Sequence, residues 1–344
     1  MNLILCRSLR FDRSLRKAIA KLALEFDIPD LDKVCKPLPV KIKTVTIQKK
    51  KIIISPVPVD CCSFCGSKEF VKGGKRYNKN FTIQRYQCKN EICKQTFSDN
   101  LGFARVSVKA SVIIQALELY FSGISYRGIA SFLQMQEIQI SYTAVSNWIK
   151  KYIKLMKVFL DQFTPQVSDK WRCDEIYVKI AGEPKYFFVM MDDATRFILA
   201  YYIADTKKTH NANRLLRVAM TKAGKKPKVF TSDGLQSYRK AYEEIFFDYN
   251  DPTIHIRATY SHNNKWMNNL MERWNGSFRH RQKTLRGIKT KDSIFFDGFI
   301  IYYNFIRLHQ KLKTTPGEKA GIIIEGNKWE TLIQNAENER KCQS

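Results

Sequence analysis

Three carboxylates stand where metal chemistry could be built. Asp174 lies in KWRCDEIYVKI, Asp233 in KPKVFTSDGLQSY, and Glu272 in NNLMERWNGSFRHRQKTLRG, residues 268 to 287. The last stretch has one acid, an aromatic stripe and then a train of arginine, lysine and histidine. On a helix, Leu270, Trp274 and Phe278 at i, i+4 and i+8 bury one face and leave Glu272 off that stripe. Arg279, two turns along the same side, can hold a phosphate beside such a site.

A second group has metal-ligand spacing. Cys62 and Cys65 form a Cys-x2-Cys knuckle followed by Gly66, and Cys88 and Cys93 supply a second pair with four residues between them. Four thiolates suit a closed tetrahedral Zn2+. Cys61 offers a spare thiol, which leaves the first ligand open between Cys61 and Cys62. The segment between the pairs reads as a glycine turn and a strand with Phe81, Ile83 and Arg85 on one side.

The elements that position the acids follow from periodicity. KWRCDEIYVKI alternates, with Arg172, Asp174, Ile176, Val178 and Ile180 on one face and Cys173, Glu175 and Tyr177 on the other, so Glu175 reads as structural. KYFFVMM, the turn DDAT and RFILAYYIA form a hairpin, giving three consecutive antiparallel strands. Asp192 and Asp193 read as turn residues bonded to their own backbone, not as metal ligands. A helix at about 210–223 precedes a short buried strand ending at Asp233, then Gly234 and a helix through YRKAYEEIF. If that strand lies parallel beside the first, about 4.8 Å away, Asp174 and Asp233 reach the same sheet edge.

Ahead of these strands, SVIIQALELYFS carries a helical stripe ending at Gly123. Ser125 can cap residues 126–133, and Ser141 can cap YTAVSNWIKKYIKLM, with Val145, Trp148, Ile149 and Tyr152 on one face. Three short helices with a glycine joint resemble a helix-turn-helix, whose polar reading residues would be Ser141, Tyr142, Thr143 and Asn147. A helical linker bundle is the rival.

Composition agrees with a polyanionic partner. The 344 residues carry 59 Lys plus Arg against 32 Asp plus Glu, a formal +27, with 44% hydrophobic content for folded cores. Such charge favours nucleic acid, with an acidic membrane surface as the alternative. No apolar run approaches the roughly 20 residues needed to span a bilayer, and nine scattered cysteines do not read as a secreted disulfide framework. A cytoplasmic, nucleoid-associated protein is expected.

Asp174, Asp233 and Glu272, with 58 and 38 residues between them, resemble the DDE triad of insertion-sequence transposases and retroviral integrases. Downstream, YYNFIRLHQKLKTTPGEKAG resembles that family's YN-x2-R-x-H-x2-L-x2-TP segment through Tyr303, Asn304, Arg307, His309, Leu312, Thr315 and Pro316. Glu175 is followed by Ile176 where relatives often have threonine. The resemblance implies an α/β RNase H-like core, a mixed sheet with flanking helices, preceded by a zinc ribbon and an all-α helix-turn-helix.

It further implies two Mg2+ or Mn2+ ions held by the three acids, cleavage at element ends and transfer of the freed 3′-hydroxyls into target DNA. Arg279, Arg281 and Lys283 would clamp the backbone, with His309 a further DNA contact and His262 a packing or phosphate residue. The partners would be terminal inverted repeats and target DNA, bridged by at least a dimer. The expected organisation is an arm of unknown role at 1–55, the ribbon at 56–104, the helical reader at 105–160, the catalytic domain at 168–321 and a tail at 322–344. The rival functions are a DNA-binding regulator on a transposase scaffold and a nuclease without strand transfer.

Overall fold

Residues 51–343 are described by the computed structural model, apart from 58, 63, 78–81, 99–101, 104, 105, 107, 259–267 and 286. Most of the expected N-terminal arm, Phe81 and His262 therefore lie outside the described residues. Two units form, one from 164–278 and 287–291, the other from 51–163, 279–286 and 292–344.

The second unit begins with a short strand β1 (Ile52–Ile54) and a three-stranded antiparallel sheet of β2 (Phe70–Tyr77), β3 (Thr82–Cys88) and β4 (Thr96–Ser98). Helices α1 (Ala110–Ser122), α2 (Tyr126–Met135) and α3 (Tyr142–Asp161) follow. Ser125 and Ser141 accept from the amides of Gly128 and Ala144, which satisfies helix-start donors as their positions predict.

The other unit is built on a five-stranded mixed sheet. β5 (Lys170–Ile180), β6 (Glu183–Asp192) and β7 (Ile198–Ala204) run antiparallel in sequence. Ala181 and Gly182, both at positive φ, make the tight turn between the first two, as a two-residue hairpin with the strand's own twist requires. After α4 (Thr209–Ala223), β8 (Val229–Ser232) returns parallel to β5, and after α5 (Gln236–Ile245), β9 (Ile254–Arg257) adds parallel to β8. The order is β7-β6-β5-β8-β9.

Helix α6 (Asn269–Lys283) completes the layers. Phe187 meets Trp274 and Phe278 of α6 at ring-centroid distances of 5.8 and 5.0 Å, while Phe188 meets Tyr238 of α5 at 6.1 Å. Neighbouring residues on one strand point to opposite faces, so helices cover both sides of β6, which explains its nearly continuous apolar run. This is the RNase H-like architecture expected above.

The chain then returns to the second unit with α7 (Ile294–Ile301), a π-helical turn at Tyr302–Ile306, α8 (Pro316–Lys319), β10 (Ile322–Ile324) and α9 (Lys328–Gln343). Gly298 lets α7 approach the Phe121 ring, since any Cβ there would collide with it. Two expected boundaries are corrected. Residues 322–344 are no tail: β10 pairs in parallel with β1, and Trp329, Leu332, Ile333 and Ala336 of α9 are buried. Nor is 168–321 one domain, because 292–321 folds with the helices of the second unit.

Candidate active site and metal centres

Parallel pairing of β5 with β8 brings two acids together. Arg172 pairs with Thr231 in the last step of the ladder, and two residues further along each chain stand Asp174 and Asp233. One carboxylate oxygen each from Asp174, Glu175 and Asp233 lies within 4.8 Å of the others. Asp174 accepts from the Glu175 amide at 2.9 Å and from Asn275 Nδ2 of α6 at 2.8 Å. Asp233 accepts from the Leu235 amide at 3.0 Å, which fixes it at the start of α5.

The electrostatics are those of a site that wants a cation. Burial, and then the Glu175 charge, push the Asp174 carboxyl up to about 7 despite the Asn275 hydrogen bond. Glu175 is raised by burial and by Asp233, against the pull of Lys207, whose Nζ lies 2.6 Å from Oε1. Cys173 and Tyr238 beneath them are pushed well up by burial and the neighbouring acids, so both stay neutral. Crowded oxygen donors of this kind fit a hard divalent ion such as Mg2+ or Mn2+.

Glu175 stands closer to the acids than its strand face alone implies. The pleat does send Asp174 toward Asn275 on α6 and Glu175 toward α5, where Tyr238 steadies its charge. But β8 stops at Ser232, so beside residues 174 and 175 the next lane of the sheet is open. Glu175 nonetheless brings a carboxylate oxygen within 4.8 Å of those of Asp174 and Asp233.

Glu272 is in the first turn of α6, exposed, and outside this cluster. The buried stripe of α6 is Met271, Trp274, Asn275 and Phe278, with Leu270 only half-buried. Asn275, one turn after Glu272, is the α6 residue that touches the acids. It and Lys207 went unread in the sequence; the available signal for Asn275 was an amide between two aromatics of an apolar stripe.

The basic residues of α6 divide. Arg279 and Lys283 are exposed. Arg281 is only 3% exposed, hydrogen-bonded to Thr284 and stacked over Tyr120 and Phe295 at 4.5 and 5.6 Å. The expectation that it clamps DNA is corrected: it is a cation–π element of the second unit's core. Thr143 and Asn147 project to solvent from the first turns of α3, while Ser141 is engaged as its cap.

The YN-x2-R-x-H segment mostly shapes a loop. Tyr303 and Asn304 are buried in the π-helical turn, His309 Nδ1 accepts from the Leu312 amide at 3.4 Å, and Thr315 caps α8 with Pro316 behind it. His309 is thus half-buried within its own turn.

The thiols also converge. Cys62, Cys65, Cys88 and Cys93 lie within 4.8 Å of one another. Sγ–Sγ separations are 3.7 Å for Cys62 and Cys93 and 3.6 Å for Cys65 and Cys88. A tetrahedron with Zn–S bonds of about 2.3 Å has edges of roughly 3.8 Å, so this donor set fits zinc. Burial raises the Cys62 thiol, but the Phe64 and Cys65 amides outweigh it and favour thiolate; burial pushes Cys88 up to about 12. Cys61 is outside the cluster, raised by burial and Asp60.

A mixed sheet in this order, with acids converging at the end of its β5–β8 pair, carries the donor set of a divalent-metal site. Residues 168–311 match the DDE domain family DDE_Tnp_IS240. The transposase for insertion sequence-like element IS431mec of Staphylococcus aureus is 24% identical over 168 residues, 48% of this chain and 71% of the relative. The transposase for insertion sequence element IS257 in transposon Tn4003 of the same species is 25% identical over 181 residues, 52% and 77%. The HTLV-2 integrase catalytic core in complex with magnesium has a TM-score of 0.32 at 14% identity, covering 46% of this chain and 98% of that one. Residues 168–311 thus form a DDE domain, and over about half its length the chain is similar to insertion-sequence transposases. Among the described residues no helix is long and apolar enough to cross a membrane.

Proposed function

We propose that this protein is a DDE-type insertion-sequence transposase that cuts at the ends of its element and joins the freed 3′-hydroxyls to target DNA, using Asp174, Asp233 and Glu272. The observation that carries this reading is the convergence of Asp174 and Asp233 at the end of the β5–β8 pair. Two bound Mg2+ or Mn2+ ions would activate the attacking water or 3′-hydroxyl and stabilise the leaving oxygen in an in-line displacement. Asp174 and Asp233 hold their oxygens toward one point; Asn275 fixes the orientation of Asp174, and the Leu235 amide that of Asp233. Glu272, one turn from Asn275 on α6, is the acid that completes the set once DNA is engaged.

In the same reading, Cys62, Cys65, Cys88 and Cys93 hold a structural Zn2+, making residues 56–104 a zinc ribbon. Helices α2 and α3 form a helix-turn-helix that presents Thr143 and Asn147, beside Ser141, to the terminal inverted repeats. Arg279, Lys283 and the His309 loop contact DNA backbone, and at least a dimer bridges two ends. The formal +27 supports such contacts.

The test is strand transfer of a labelled terminal-repeat duplex with Mg2+ or Mn2+, comparing the wild type with Asp174→Ala, Asp233→Ala and Glu272→Ala. Joining by the wild type, and DNA binding without joining by each variant, is expected. Nicks without joined products would leave a nuclease, and binding without cutting on verified ends would leave a DNA-binding regulator.

A further inference from the structure

We propose that Glu175 is an additional carboxylate ligand of the metal centre, standing beside Asp174 and Asp233, with Lys207 as the residue that holds it in place. The proposal rests on the reading of Asp174 and Asp233 as metal ligands.

Glu175 is placed as a ligand would be. One of its oxygens lies within 4.8 Å of an oxygen of each aspartate, while Glu272 is exposed and outside the group. The Glu175 side chain is 4% exposed. Its Oε1 takes the Lys207 ammonium at 2.6 Å. Its Oε2 is buried and accepts no hydrogen bond of ordinary geometry among the described residues, the Tyr238 hydroxyl being close enough only to steady its charge. A buried carboxylate oxygen left without a donor is costly, and here the neighbouring groups are further acids. A cation between them removes that cost.

Lys207 is not free to neutralise the whole cluster. Its ammonium sits over the rings of Tyr177 and Tyr186, 5.0 and 5.1 Å from their centroids, which holds it in place against Glu175 Oε1. One pinned ammonium against three carboxylates leaves a charge deficit that a divalent ion fills. The arrangement also aims Glu175, since Oε1 is anchored and rotation about the side chain is restricted.

The experiment is Mn2+ binding to the full-length protein without DNA, followed by calorimetry and by the loss of the free Mn2+ spectrum. Wild type is compared with Asp174→Asn and Glu175→Gln; the glutamine keeps volume and an acceptor for Lys207. We expect Asp174→Asn to abolish binding and Glu175→Gln to weaken it about tenfold or more, within the range seen when a metal site loses a supporting group, while the circular dichroism stays unchanged. Wild-type affinity in Glu175→Gln, with binding lost in Asp174→Asn, overturns the role of Glu175 and leaves the active-site reading intact. Wild-type affinity in both variants, or no binding by the wild type, overturns both. Should Glu175→Gln fail to fold, Glu175→Asp, which keeps the charge but withdraws it by one methylene, decides in the same assay: weaker binding supports the proposal and equal binding overturns it.

Discussion

Asn275 donates a 2.8 Å hydrogen bond from α6 to Asp174 Oδ2 on β5. The bond ties the helix carrying Glu272 to the strand carrying the first acid, and it orients a carboxylate whose other oxygen already takes the Glu175 amide. Asn275→Ala should therefore lower the single-turnover rate of end cleavage by about 10–100-fold, as loss of an outer partner of a metal ligand does, with DNA affinity unchanged in a gel-shift titration. A rate within twofold of wild type would show that Asp174 needs no such support.

The raised Asp174 carboxyl makes a pH prediction for the metal-free protein. Its folded value, about 7, exceeds the ordinary 3.8, so over that interval the native state holds a proton that the unfolded chain has released. Stability must then fall as pH rises from about 4 to 7 and level off above, by on the order of 1–3 kcal/mol. The raised Glu175 acts with the same sign. Asp174→Asn should remove most of this slope, and Mg2+ should restore stability at high pH by binding only the folded form. Urea midpoints at pH 5 and 7.5, with and without Mg2+, check it; identical slopes in wild type and variant would refute the assignment.

Much of this site could be read from residue order. The aliphatic and aromatic runs of β5, β6 and β7 permit few structures other than strands, and Asp174 and Asp233 stand out because each follows or interrupts such a run. Alternation gives only where the Glu175 Cβ points, and does not show that its carboxylate reaches within 4.8 Å of those of Asp174 and Asp233. Arg281 looked like its exposed neighbours because a basic train does not reveal which member lies under Tyr120. The C-terminal helix was legible in Trp329, Leu332, Ile333 and Ala336, spaced as one helical stripe, but its burial depends on partners far away in sequence.

Metal removal tests the thiol cluster. Cys62, Cys88 and Phe97 form the buried centre of the small β2–β4 sheet, with Phe70 and Tyr86 against them, so a zinc held by the thiols would be one unit with the hydrophobic cluster. Cys88→Ser should reduce bound zinc from about one per chain to none, expose the sheet to limited proteolysis and weaken specific DNA binding. Cys61→Ser should keep full zinc content, since Cys61 is outside the cluster. Zinc loss in Cys61→Ser equal to that in Cys88→Ser would mean that Cys61, not Cys62, holds the first ligand position.

Arg279 and Arg281 should behave as opposites although they lie two residues apart. Arg281 is buried over two aromatic rings, and its removal leaves a hole and strips those rings of their cation, so Arg281→Ala should cost about 2–4 kcal/mol of stability. Arg279 is exposed. Arg279→Ala should change stability by no more than about 0.5 kcal/mol yet weaken DNA binding across sequences and lower the salt slope by about 1. Arg281→Lys separates packing from charge: a compact ammonium cannot spread over Tyr120 as the planar guanidinium does, so this variant should recover only part of the lost stability. Thermal melts and salt-dependent binding of the three variants decide the matter, and a stable Arg281→Ala protein with reduced DNA affinity would return Arg281 to the DNA-binding surface.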